Sequence, residues 1–167
     1  MEDAAEEIAV IKVTGKDIYG FYTQTELLPW SYHIPHEDVI FASNQATIEN
    51  NEEYKLLDVQ KDVNSVVAKF STFAVVNLYV AGYTDTVGSS SSNLALSEER
   101  ARSIARWFKQ HGFTGHIYYQ GFGESVLAVQ TADGVDEPQN RRSLYVVAAD
   151  TPPVSVDLPR SNWKKLQ

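Results

Sequence analysis

The segment GYTDTVGSSSSNLALSEER, residues 82–100, contains two side chains whose opposite charges could act together, Asp85 and Arg100. Asp85 stands just after an apolar run, and Arg100 stands inside the helical pattern that follows. A carboxylate accepts hydrogen bonds from an ammonium group, and the guanidinium fork matches a carboxylate. Together they would suit a zwitterion. The alternative for Arg100 is an ion pair with Glu98, Glu99 or Asp85 on a solvated face. Reading Ser97 as an N-cap places Arg100 in the first helical turn, where a cation opposes the macrodipole by roughly 0.3 to 1 kcal/mol. A ligand carboxylate, also held by free N–H groups at the helix start, would offset that cost.

Other reactive residue types form no constellation. The chain has no cysteine, which removes thiolate nucleophiles, disulfides and cysteine metal sites. His33 and His36 flank Pro35 and lack a third ligand, while His111 and His116 fall at the ends of predicted elements. GFGES does not have the spacing of a nucleophile elbow, and no phosphate loop ending in GK[ST] occurs. Asp133 and Asp136 share a glycine-containing loop without the calcium-loop pattern. These observations predict a binding module without catalysis, metal or cofactor.

The elements that must position Asp85 and Arg100 belong to a chain of 167 residues, about one domain long. Hydrophobic residues make up 43% and aromatics 11%, enough for a packed core. With 22 acidic and 14 basic residues the formal charge is −8, which argues against a nucleic-acid partner. It also gives no steering toward an anionic partner. No run approaches the roughly 18 apolar residues of a membrane-spanning helix. The opening MEDAAEEIAV has neither the basic nor the apolar region of a secretion signal, so the chain is expected to be either cytosolic or a trimmed mature form with an added Met1.

Three regions are expected. Residues 1–36 form an extension in which IAVIKV and GKDIYGFYT suggest a short strand pair, followed by the proline-containing connector LLPWSYHIPHED. Residues 37–150 form the main domain, and 151–167, with three prolines, form an extended tail. Within the domain, VIF at 39–41 reads as a short strand. Apolar residues at 56, 59, 63, 66, 67 and 70 mark one face of a helix. FAVVNLYVAGY, 73–83, reads as a strand covered on both sides, in a parallel sheet. A second helix starts at Ser97, buries Ala101, Ile104, Ala105 and Phe108, and stops at Gly112. HIYYQG, 116–121, and RSLYVVAA, 142–149, supply two more strands. The order predicts an α/β (α+β) two-layer sandwich, a βαβαββ-type mixed sheet with helices, with ligands at the carboxyl ends of parallel strands.

GYTDTVGSSSSNLALSEERARSIARWF, GFGES and DGVDEPQNRRS, taken in order, resemble the OmpA-like peptidoglycan-binding domain. The shared features are the Gly-x-Thr-Asp turn, a glycine, an asparagine, Leu-Ser before Arg-Ala, and paired arginines after asparagine. They span about Val39 to Val147. The resemblance implies the OmpA-like fold and noncovalent binding of peptidoglycan through meso-diaminopimelate, with Asp85 taking the ammonium group and Arg100 the carboxylate. Asn93 and Arg141 are the next candidates, then Thr84 and Asn44, while Arg142 is assigned to structure. The variable loop Ser89–Ser92 reads as a plain loop, or as a flexible polar rim to the site. Tyr83 stands where the family often has histidine, Ser143 where it often has valine, and a serine where a tyrosine often precedes the asparagine. The implied setting is periplasmic and associated with the outer membrane, with the chain anchoring an envelope assembly to the wall. The family also includes subunits of motility and secretion machines, among them lipoproteins, so the fold could instead serve mainly for protein docking. Trp30, Tyr32 and Trp163 are then candidate contacts for a partner, unless they pack on this domain itself.

Overall fold

The apolar run before Asp85 becomes the central strand of a five-stranded sheet in the computed structural model, which describes residues 11–27, 30–42, 44–159 and 162–167. In chain order the strands are β1 Ile11–Lys16, β2 Tyr22–Leu27, β3 Ser31–His33, β4 Asn77–Tyr83, β5 Ile117–Gly123, β6 Ser143–Ala148 and β7 Lys164–Lys165. Helix α1, Glu53–Phe70, precedes β4, and α2, Ser90–Gln110, links β4 to β5. The main sheet runs β3-β6-β4-β5-β7. Only β4 and β5 pair in parallel within it, so the sheet is mixed. The helix α2 is the crossover that a parallel pair requires. The α+β class and mixed sheet are therefore present, whereas the wholly parallel environment inferred from the apolar run is not.

All seven residues of β4 are buried, because both faces of the sheet are covered. Leu78 and Val80 face a core shared with Leu56, Val59 and Val63 of α1 and Ala101, Ile104, Ala105 and Phe108 of α2. Tyr79, Ala81 and Tyr83 face the other side, where Phe122, Val126, Leu158 and the ring of Trp163 complete a second cluster. Residues 151–167, read as an extended tail, thus lie along the sheet, and β7 adds to the edge of β5. The Tyr83 hydroxyl donates to the carbonyl of Asp157 at 2.5 Å. Arg142 stacks over the Tyr83 ring at 4.2 Å and pairs with Asp157 at 2.8 Å.

The extension behaves in two ways. The predicted strand pair exists as the β1–β2 hairpin, a separate sheet, although residues 8–10 of its first strand lie outside the described residues. The connector is not irregular throughout: β3 pairs with β6, Trp30 stacks on Phe70 at 4.2 Å, and Ile34 is buried. Prolines at both ends of this stretch suggested a loop, but three residues between them suffice for an edge strand. VIF at 39–41 is no strand. The Ile40 N–H instead donates to the Glu52 carboxylate at 2.8 Å.

The start of α2 also differs from expectation. Ser89 is the N-cap, its hydroxyl accepting from the Ser92 N–H at 3.3 Å, and Ser90–Ser92 are helical. The serines are therefore the first turn of the helix and not a rim. Ser97, fully buried, uses its hydroxyl to accept from the Gly123 N–H at 2.9 Å. Its acidic successors imitate a cap signature, but tertiary contacts extend the helix seven residues further. Arg100 lies mid-helix, so the macrodipole offers no account of it. Close approach fixes where α2 crosses the sheet: a Cβ on Gly82 would sit 2.4 Å from the Ser97 carbonyl, and one on Gly121 would sit 2.3 Å from the Glu98 nitrogen.

Candidate functional site

The chain leaves β4 through Thr84 and Asp85 at the carboxyl end of the parallel pair, where the Thr84 N–H donates to the Gly123 carbonyl at 2.9 Å. An open cleft of about 350 Å³ begins there. Its lining includes Asn44, Thr84, Asp85, Asn93, Arg100 and Arg141, so all six residues singled out in the sequence meet in one place. Phe41, Val87, Leu96 and Asp136 complete the walls.

Asp85 is 7% exposed and already has a cationic partner. Its Oδ2 lies 2.6 Å from Arg141 Nη1, and its Oδ1 accepts from the Val87 N–H at 3.3 Å. Arg141 also pairs with Asp136. The hydrogen bond that Arg141 donates to Asp85 holds its guanidinium above the ordinary value, burial opposes this, and Asp136 adds to it.

Arg100 is 8% exposed and makes no ion pair among the described residues. Its Nε donates to the Gln45 carbonyl at 3.0 Å, and Nη2 to the Ala42 carbonyl at 3.4 Å. The Phe41 ring lies 5.1 Å from its guanidinium carbon, a cation–π contact. A tight turn presents those carbonyls: Gln45 N–H donates to Ala42 O, and Asn44 takes φ 56°, a left-handed conformation asparagine tolerates. Burial lowers the Arg100 value, the like charge of Arg141 adds to this, and Asp85 opposes it. The solvated-face alternative is therefore excluded. Glu98 pairs with Lys164 instead, and Glu99 with Arg102.

Asn93, also buried, braces the turn. Its Nδ2 donates to the Asp85 carbonyl at 3.3 Å and to Glu124 Oε2 at 2.6 Å. Glu124 additionally accepts from Ser90, and these two hydrogen bonds hold its carboxyl below the ordinary value against a smaller burial effect. Glu124 was visible in GFGES but had no role assigned, because its partners come from α2. Phe41 was misplaced in a strand. Thr84 is 2% exposed, and its hydroxyl has no hydrogen-bond partner among the described residues. The cleft thus combines a paired carboxylate, a carboxylate-free guanidinium and an unused hydroxyl, which is chemistry for holding a small polar group with both charges. No group of three or more potential metal ligands occurs among the described residues.

The model of the OmpA family matches residues 40–141, which include the cleft and the strands around it. The chain belongs to the OmpA family. Outer membrane protein P5 of Haemophilus influenzae is 30% identical over 115 residues, covering 68% of this chain and 30% of that protein. The chain spans 14% and 30% of the first two curated relatives, so it corresponds to one part of longer proteins. Among solved structures, the peptidoglycan-associated lipoprotein from Burkholderia pseudomallei superposes with TM-score 0.52 at 21% identity, covering 66% of this chain and 88% of that one. The cell wall anchor of the T6SS from Pseudomonas aeruginosa gives TM-score 0.50 at 22% identity, covering 66% and 76%. At that identity the likeness establishes the OmpA-like fold. Among the described residues no helix is long and apolar enough to cross a membrane.

Proposed function

We propose that this OmpA-family chain binds peptidoglycan noncovalently through the meso-diaminopimelate of the stem peptide, anchoring an envelope assembly to the wall from the periplasm. The observation that carries the reading is Arg100: a guanidinium 8% exposed, at the wall of an open cleft, with two backbone carbonyls and, among the described residues, no carboxylate. A buried cation without a counter-charge is costly, and a ligand carboxylate would lower that cost while gaining a charge-assisted pair. Asp85 lines the same cleft and would share its carboxylate between Arg141 and the ligand ammonium. Thr84, Asn93 and Asn44 would complete the polar lining. The two solved proteins of the same fold, one a peptidoglycan-associated lipoprotein and one a cell wall anchor, support the same reading.

Lysine in place of diaminopimelate lacks the carboxylate at the side-chain end. The reading therefore expects weak binding to lysine-type wall, because Arg100 would stay unpaired. Calorimetric titration with a soluble diaminopimelate muropeptide, beside its lysine counterpart and with Asp85→Ala and Arg100→Ala, tests this. Saturable binding by the parent alone, for the diaminopimelate form alone, is expected. No binding by the parent overturns it. The reading is not enzymatic, and muropeptides released from purified wall by the protein would contradict that.

A second reading, docking within a secretion or motility machine, is favoured by the β1–β2 hairpin. Its tip exposes Ile18, Tyr19, Phe21 and Tyr22, at 91%, 81%, 76% and 70%. Large apolar residues in such a cluster suit a contact with another molecule. A parent that ignores muropeptides yet loses assembly incorporation on Phe21→Ser would favour it.

A further inference from the structure

Arg100 donates its hydrogen bonds to the carbonyls of residues 42 and 45, so the cleft depends on how the segment leading to them is held. Two clusters hold it. In the first, Lys55 donates to the Asp38 carbonyl at 2.9 Å and pairs with Glu37 and Glu52. In the second, the side chain of His36 is 7% exposed and packs on the Tyr145 ring at 4.1 Å.

The three oxygens within reach of the His36 ring nitrogens are all acceptors. Nδ1 lies 2.7 Å from the Ile34 carbonyl oxygen. Nε2 lies 3.2 Å from the Ser143 carbonyl oxygen and 3.5 Å from the Asp38 carboxylate. A neutral imidazole has one N–H and one bare lone pair, so either tautomer would point a lone pair at an oxygen. Only the imidazolium satisfies both nitrogens. Asp38 completes the grip, its Oδ1 accepting from the Ser143 N–H at 2.7 Å and from the Ser143 hydroxyl at 3.2 Å. Ser143 is thus held at both main-chain polar atoms, two residues beyond Arg141 of the cleft.

We propose that His36, as an imidazolium, is a positioning residue for the cleft: it clamps residues 36–45 to the start of β6 and so holds Arg100 and Arg141 in register. The effect on ligand rests on the peptidoglycan reading above, whereas the clamp itself does not. The other groups facing the ring are few. Beside the clamp lies a small cavity lined by Glu37 and, from α1, by Tyr54, Lys55, Asp58 and Asp62. From β6 come Ser143 and Tyr145. Burial pulls the His36 value down, but hydrogen bonds to Asp38, Ile34 and Ser143, with the Asp38 charge, raise it above 6.5. For a raised value the stabilisation is complete below the ordinary value and is lost as pH rises through the folded one. The clamp is therefore complete below the ordinary histidine value and is lost as pH rises through the raised folded value.

The test follows the His36 ring by NMR between about pH 5 and about pH 9, with hydrogen-exchange protection of residues 39–45 relative to β4. Muropeptide affinity of the full chain is measured over the same range. Protection at 39–45 should fall as the ring deprotonates, and affinity should fall roughly three- to tenfold with it. His36→Gln, which cannot charge, should bind more weakly and without that pH step. A parent that binds no muropeptide at any pH, while loop protection still follows His36, refutes the ligand reading and leaves the clamp standing. A ring that titrates below its ordinary value, or protection that stays flat through its titration, overturns the clamp.

Discussion

Two cations flank the segment between β3 and α1, and the fold treats them in opposite ways. Lys55 on α1 is 4% exposed and closes on Glu52 at 2.9 Å, Glu37 at 3.0 Å and a backbone carbonyl. Arg100 on α2 is 8% exposed and meets two carbonyls and an aromatic ring, with no carboxylate among the described residues. Burial alone therefore does not mark a functional cation. What separates them is whether the chain supplies the counter-charge, because a closed cluster has no capacity left for a ligand and an open one does.

The largest effect should come from opening the closed cluster. Lys55→Ala leaves the Glu52 carboxylate, 11% exposed at its side chain, without its cation, and should cost about 3 kcal/mol of stability. The urea midpoint should drop with an unchanged slope. Arg100→Ala removes a cation that no described residue neutralises, so its unfolding free energy should change by less than about 1 kcal/mol while muropeptide affinity falls roughly a hundredfold. Equal stability losses in the two variants would dissolve the comparison.

Acid sharpens it further. The Glu52 value is lowered first by the hydrogen bond from the Ile40 N–H and then by Lys55, outweighing its burial. A lowered carboxylate contributes stability that is present above its ordinary value of 4.5 and lost as pH falls through the folded value. Glu52→Gln should flatten that part of the parent's acid unfolding curve, while Arg100→Ala should leave it intact. The smallest expected effect lies on the opposite face of the sheet. Tyr83→Phe removes the hydroxyl that reaches the Asp157 carbonyl and should cost about 1 kcal/mol, read as a small loss of midpoint.

Much of this architecture is visible in short windows. The apolar spacing of α1, the stripe of α2 and the doubly covered β4 follow from periods of 3.6 residues or from an unbroken apolar run. Asp85 and Arg100 stand out by charge type within one loop and one helix. The start of α2 is harder to read, because Ser97 with Glu98 and Glu99 after it imitates a cap inside the helix. The choice falls to Asn93 and Ser97, whose side chains bind Glu124 and the Gly123 N–H from β5 and its end. Likewise the edge strands β3 and β7 are too short to show a period of their own. They exist because β6 and β5 offer unpaired edges.

The sequence by itself determined which residues could do chemistry, the type of the long elements and the family pattern, since each is written in neighbouring residues. Tertiary structure alone decided that Asp85 pairs with Arg141, 56 positions away, that Arg100 is buried without a carboxylate, and that His36 is ringed by acceptors. Those facts depend on which strand ends and loops the sheet order brings together, and no local window contains them.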